Sequence, residues 1–247
     1  MVTSPLPASV AHLGEAVWRA DELGCAAGAT VASGHTALDA QLPGGGWPVG
    51  AVVEVLQAQS GQNEWRLLLP ALRRAAPGPV VLVGAPHVPF GPGLCAQGFE
   101  ARRLLWIRAA APAARLWASE QALRCAEVAA VLAWLPQVRA EQLRRLQMAA
   151  QEHSKLLFVM RPAQAIAESS PAVLRLLVAS QSAGEGAPSD ALQLHILKRR
   201  GPPLAQALAL PARSARLGAL LALRVKAEEV VRKTGGGDAL DRLAAAA

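Results

Sequence analysis

The residues best placed to do chemistry lie between Gly50 and Leu72, GAVVEVLQAQSGQNEWRLLLPAL, where an apolar strand runs into a small polar loop and then a helix. That is the order of a phosphate-binding loop. Such a loop works through glycines that let backbone N–H groups wrap the phosphates, a Lys that reaches the terminal phosphates, and a Ser or Thr hydroxyl that holds magnesium. This loop contains Ser60 and Gly61, and of those requirements it keeps Gly61 alone. Gln57 stands where the first glycine would open it, Gln62 where the Lys would follow, and Asn63 where the hydroxyl would be. Losing the Lys removes the mobile positive charge on the phosphates, and losing the hydroxyl removes a metal ligand. The expectation is a degenerate nucleotide loop without tight Mg-ATP binding, with no cofactor, no metal and no catalytic residue.

Elsewhere the chemistry-bearing residues are dispersed. No Ser sits with a His and an Asp in a nucleophile arrangement, and the His residues are isolated, so His87 and His195 are read as core or surface residues. Cys25, Cys95 and Cys125 form no C-x-x-C pair, which argues against zinc or a disulfide framework and leaves them as small buried apolar residues. The segment LPGGGWP at 42–48 precedes a strand, whereas a dinucleotide fingerprint follows one. It is therefore structural: Gly44, Gly45 and Gly46 permit positive φ and close chain approach, and Trp47 closes an edge of the core.

Lys198, Arg199 and Arg200 form the sharpest basic cluster, directly after an apolar strand and before Gly201. An interaction surface and a solvated strand end account for it equally well. Arg139, Arg144 and Arg145 fall on or near one helix, with Leu143, Leu146 and Met148 available for its buried side. A solvated face is the plainer reading there, and anion binding the alternative. Trp117, Ala122 and Leu123 read as helix packing, with Glu120 as a surface carboxylate.

These residues need elements to position them. Short apolar runs at 52–56, 80–83, 104–107, 130–132, 156–160 and 192–197 alternate with helical segments at about 62–75, 91–98, 114–127 and 138–152. Strands joined by crossovers of that length predict an α/β fold with a mainly parallel sheet flanked by helices. The core domain is expected over 34–210. Residues 1–33 read as an N-terminal helix and linker, and 211–247 as a C-terminal helical tail hinged at Gly235–Gly237; both are candidates for partner docking.

A chain of 247 residues with 52% apolar content can bury a full core. Its formal net charge of +7 favours an anionic partner and leaves weak, nonspecific DNA contact open. No apolar run approaches the ~20 uncharged residues of a membrane span. The first residues lack a basic leader with an apolar block, so a cytoplasmic protein without membrane contact is expected.

Taken together, SGHTALDAQLPGGGWPVGAVVEVL (33–56), APHVPFGPGLCAQGF (85–99), LWASEQALR (116–124), AVLAWL (130–135), LRRLQMAAQE (143–152) and LKRRGPP (197–203) resemble, in order and spacing, the ImuA family of translesion-synthesis-associated proteins. That group is RecA-related and includes relatives of the division inhibitor SulA. The segment from Gly50 is itself similar to the RecA recombinase signature, with Gly50 and Glu54 in matching places and the loop one residue shorter. The resemblance implies a RecA-like P-loop core.

In a recombinase, a Glu after the strand at 80–83 polarises the attacking water, and an acidic residue after the strand near Val131 assists magnesium. The matching positions hold Pro86 and Ala133, the latter followed by Trp134. Lys198 and Arg200 match basic residues that reach a neighbouring subunit's nucleotide across a filament interface. The resemblance thus implies a non-catalytic adaptor or regulator in SOS-induced translesion DNA synthesis, not an enzyme. Its implied partners are the RecA recombinase, the inactive Y-family polymerase homologue ImuB and an error-prone replicative-type DNA polymerase. Two alternatives stand beside it: a SulA-like inhibitor of cell division acting on FtsZ, and an active DNA-dependent ATPase.

Overall fold

The computed structural model describes residues 28–180, 191–202, 204 and 206–211. The strands are β1 (Thr30–Val31), β2 (Trp47–Pro48), β3 (Ala51–Gln57), β4 (Val80–Val83), β5 (Leu104–Ile107), β6 (Ala130–Trp134), β7 (Leu156–Pro162), β8 (Leu174–Ser180), β9 (Ala191–Lys198) and β10 (Leu208–Pro211). The α-helices are α1 (Thr36–Asp39), α2 (Glu64–Arg74), α3 (Gly91–Ala96), α4 (Pro112–Arg124) and α5 (Ala140–Glu152). Every apolar run expected as a strand is one, and the expected helices shift at their ends by at most three residues. The chain divides into two units at Leu210/Pro211. The N-terminal helix and the tail expected from the sequence lie outside the described residues, apart from Pro211.

β1 and β2 pair antiparallel as a small ribbon, and the other strands form one sheet in the order β10-β9-β8-β3-β7-β6-β4-β5. From β8 to β5 every pair is parallel, and β9 runs antiparallel to β8. The fold is therefore α/β with a mainly parallel sheet flanked by helices, as expected. Right-handed crossovers decide where the helices go. The chain moves one way along the sheet through α2 and α3 and back through α4 and α5, so the two pairs cover opposite faces.

On one face Ala118, Ala122 and Leu123 of α4 and Leu143, Leu146, Ala149 and Ala150 of α5 pack on Val52, Val83, Val131 and Val159. Each fully buried Leu or Val there contributes about 1.5–3 kcal/mol. On α2 the buried residues are Leu67, Leu68, Leu69, Ala71 and Leu72, together with Glu64.

The LPGGGWP segment behaves as read. Gly44 and Gly45 have φ of 77° and 72°, and a Cβ on Gly46 would lie 2.4 Å from the Val31 carbonyl oxygen. Trp47 is fully buried and meets Phe158 edge to face at 5.3 Å.

Three expectations are corrected. Cys95 and Cys125 are exposed, because they sit at the ends of α3 and α4 and not on a buried stripe; Cys25 lies outside the described residues. Trp117 is 63% exposed, whereas Glu120 is 2% exposed. The buried stripe of α4 is Ala118, Ser119, Glu120, Ala122 and Leu123, and Trp117 falls outside it on the exposed side. Glu120 is tolerated there because Arg124 (2.8 Å) and Arg145 (2.5 Å) neutralise its oxygens. Met148 points outward, and Ala149 and Ala150 take the place it was expected to fill.

β8 was not among the expected strands. Its apolar run is interrupted by Arg175, which lies directly opposite Glu54 on β3. Glu54 is fully buried and binds Arg175 Nε at 2.7 Å and Arg161 Nη1 at 2.9 Å. Arg161 also holds Glu168 at 2.5 Å. Burial pulls the Arg161 pKa down, but its carboxylate partners outweigh that and leave it raised. Such a network is weak evidence for stability and strong evidence for register. A one-residue slip would set Glu54 against Leu174 or Leu176.

Candidate functional site

β3 ends at Gln57 and α2 begins at Glu64, so the loop between them sits at the carboxyl end of the parallel strands. β7 and β6 lie between β3 and β4. The loops leaving β3 and β4 therefore flank the kind of crevice where open α/β sheets bind ligands. The two loops touch. Gly61 has φ of 94°, and a Cβ added to it would lie 2.4 Å from His87 Cδ2 and 3.2 Å from Pro86 Cγ. Glycine is required there both by its backbone and by this close approach.

The centre of the site is the Glu64 carboxylate. Its Oε1 accepts hydrogen bonds from Gly61 N (2.6 Å), Gln57 Nε2 (2.5 Å) and Trp134 Nε1 (3.0 Å), and its Oε2 accepts one from Asn63 N (3.1 Å). Glu64 is 1% exposed. Backbone N–H groups converging at the start of a helix form an anion seat, and the helix dipole adds to it. In this chain the anion in the seat is the protein's own. A phosphate entering would have to displace a tethered carboxylate, also an anion, and strip it of four donors.

The residues flagged in the sequence sort themselves around this centre. Gln57, Gly61 and Asn63 are in the seat. Gln62 is exposed, and its Nε2 donates to Gln59 Oε1 at 2.7 Å, so it does not reach inward as a Lys would. Ser60 is half-buried in the same turn. Pro86 lies over the loop and offers no proton-accepting side chain. Ala133 does not join them: it is buried with Val83 and Val159 in the core against α4 and α5. Its neighbour Trp134 reaches the loop instead.

Glu64 itself was missed. Its signal was an acidic residue three positions after a glycine at a helix start, the spacing at which capping boxes reach back to the chain.

The basic clusters lie elsewhere. Lys198 stands opposite Arg175 on the antiparallel β9, which puts Lys198–Arg200 at the amino end of the parallel strands, away from the loop. Lys198 Nζ donates to Ser170 O at 2.9 Å, and Arg199 holds Gln41 O and Pro202 O. Arg199 and Arg200 also line a hollow of about 320 Å³ with Gly50 and Ala51. Arg139, Arg144 and Arg145 are exposed, and Arg145 is engaged with Glu120.

His35, at the start of α1, is buried, which lowers its pKa; the facing Leu67 and Arg66 carbonyls partly offset that. Pro70 cannot donate to the Arg66 carbonyl inside α2, so the ring lies where the helix ladder is interrupted.

Among the described residues no group of three or more His, Cys, Asp or Glu is placed to hold a metal ion, and no helix is long and apolar enough to cross a membrane. No protein-family model matches the chain, and comparison with curated proteins finds no match.

Proposed function

We propose that this chain is a non-catalytic, RecA-related adaptor of DNA-damage tolerance, one that contacts the RecA recombinase and an error-prone polymerase assembly without an ATP cycle of its own. The observation that carries the first half of this reading is the Glu64 carboxylate in the anion seat after β3. A hydrolase needs that seat for phosphate, a charged group to track the terminal phosphate and a metal ligand. This loop has Glu64, Gln62 and Asn63 in those three roles, with Pro86 above it.

The second half rests on the ordered resemblance of 33–203 to the ImuA family. Supporting it, Lys198–Arg200 face away from the chain's own loop, at the opposite edge of the sheet. That placement suits contact with a neighbouring molecule. A recombinase-like surface that does not turn over could sit on the end or side of a RecA filament and block or remodel it. The other proposed partners are the inactive polymerase homologue ImuB and an error-prone replicative-type polymerase.

The test is fluorescence anisotropy of labelled single-stranded DNA carrying a RecA filament, titrated with the purified chain. The reading predicts a saturable change in the filament, reduced by Arg200→Glu. A filament indifferent to excess chain contradicts it.

A further inference from the structure

The carboxyl edge of the sheet carries a second feature beside the closed loop. After β4 and β5 lies a hollow of about 620 Å³, lined by Gly84, Pro86, Val88, Trp106, Arg108 and Arg115 among others. Between the start of α4 and the loop before α5 lies another of about 340 Å³, lined by Arg115, Leu135, Gln137, Arg139 and Gln142 among others. Arg115 belongs to both, so the two make one trough. No acidic residue lines either hollow.

The cations in the trough are positioned and available. Arg115 donates from Nε to Ala109 O at 2.8 Å and from Nη1 to Trp134 O at 3.3 Å, which fixes its guanidinium; among the described residues its Nη2 has no partner. Arg108 is exposed and stacks over Trp106, with Cζ 5.4 Å from the ring centroid. The indole is half-buried, and its Nε1 is enclosed without a hydrogen-bond partner. Val88, which lines the same hollow, is 72% exposed.

Three guanidiniums in a row without carboxylates, beside half-exposed aromatic surface, match what a single nucleic-acid strand offers: spaced phosphates and bases with free faces. A duplex hides those faces. A peptide of Asp and Glu would satisfy the guanidiniums and leave the indole unused. We propose that this trough binds single-stranded nucleic acid, with Arg108, Arg115 and Arg139 on phosphates and a base against the exposed part of the Trp106 indole. The proposal is independent of the adaptor reading, because it concerns the chain alone with no recombinase present.

The experiment is fluorescence anisotropy of a labelled oligo-dT of about 20 nucleotides, longer than the ~4–16 nucleotides typical of one strand-binding module. With three phosphate contacts, the logarithm of the affinity should fall against the logarithm of salt with a slope of about −2. Arg108→Glu combined with Arg139→Glu changes only exposed side chains and should weaken binding at least ~10-fold, whereas Arg144→Glu on the outside of α5 should leave it unchanged. An abasic oligonucleotide of equal charge should bind severalfold more weakly. The proposal is overturned if the chain does not bind, if the double variant binds as the wild type does, or if Arg144→Glu costs as much. It is equally overturned if the abasic strand binds as tightly, or if polyglutamate of equal charge displaces the oligonucleotide.

Discussion

Four donors converge on the Glu64 carboxylate in a space closed by Gln57, Trp134 and the loop itself. Truncating it to Ala leaves those donors buried and unpaired, at about 1–3 kcal/mol for each that water cannot reach. Glu64→Ala should therefore lower the unfolding free energy in urea by at least about 3 kcal/mol, and Glu64→Gln by less. The emptied seat should accept an anion: pyrophosphate is expected to raise the melting temperature of Glu64→Ala and leave the wild type unchanged. Equal responses would mean the seat is not what Glu64 fills. Gly61→Ala combines a left-handed backbone with a clash against His87, and a loss of about 1–3 kcal/mol is expected in the same assay. His35 gives a pH signature. Its folded pKa lies below 6.5, so between those two values the unfolded chain binds more protons than the folded one. Stability should hold above pH of about 6.5 and decline as pH falls below it, and His35→Gln should flatten that decline in urea unfolding followed across pH.

At the scale of elements, the apolar runs of β4, β6 and β7 were legible because these strands are buried on both faces and read as unbroken stretches of Val, Leu, Ala, Phe and Met, and β3 was legible because Val and Leu flank its single Glu54 on both sides. β8 was not read as a strand, although its one charge, Arg175, interrupts it no more than Glu54 interrupts β3; that the two charges answer each other shows only once the strands are paired. The same logic hid the inward face of α4. A helix of Ala, Ser and Glu carries little periodic signal, and Glu120 is buried only because two arginines from α4 and α5 reach it. Pairings across long sequence separations are invisible to periodicity. They are visible to mutation: Glu54→Leu alone leaves two buried guanidiniums short of a partner and should cost about 3–5 kcal/mol. Replacing Glu54, Arg161 and Arg175 together by Leu, Met and Met should recover most of that loss in denaturant unfolding.

For the whole molecule, the sheet separates two edges. The carboxyl edge holds the closed loop and the arginine trough; the amino edge holds Lys198–Arg200 and the hollow beside Gly50. What the loop lacks was readable in its sequence, since a missing Lys or hydroxyl is a statement about residue type. What occupies it was not, because Glu64 reads as an ordinary helix-start acid until Gln57 and Trp134 are seen to face it. Glu64 fills the seat, and on that rests the proposal of an adaptor without a nucleotide cycle. The most direct test is a titration of the whole chain with a fluorescent ATP analogue and magnesium, read beside phosphate release with and without single-stranded DNA. The proposal requires no saturation up to about 1 mM, where binding free energy is only about −4 kcal/mol, and no release above background. Saturation at micromolar analogue accompanied by DNA-stimulated phosphate release would contradict it.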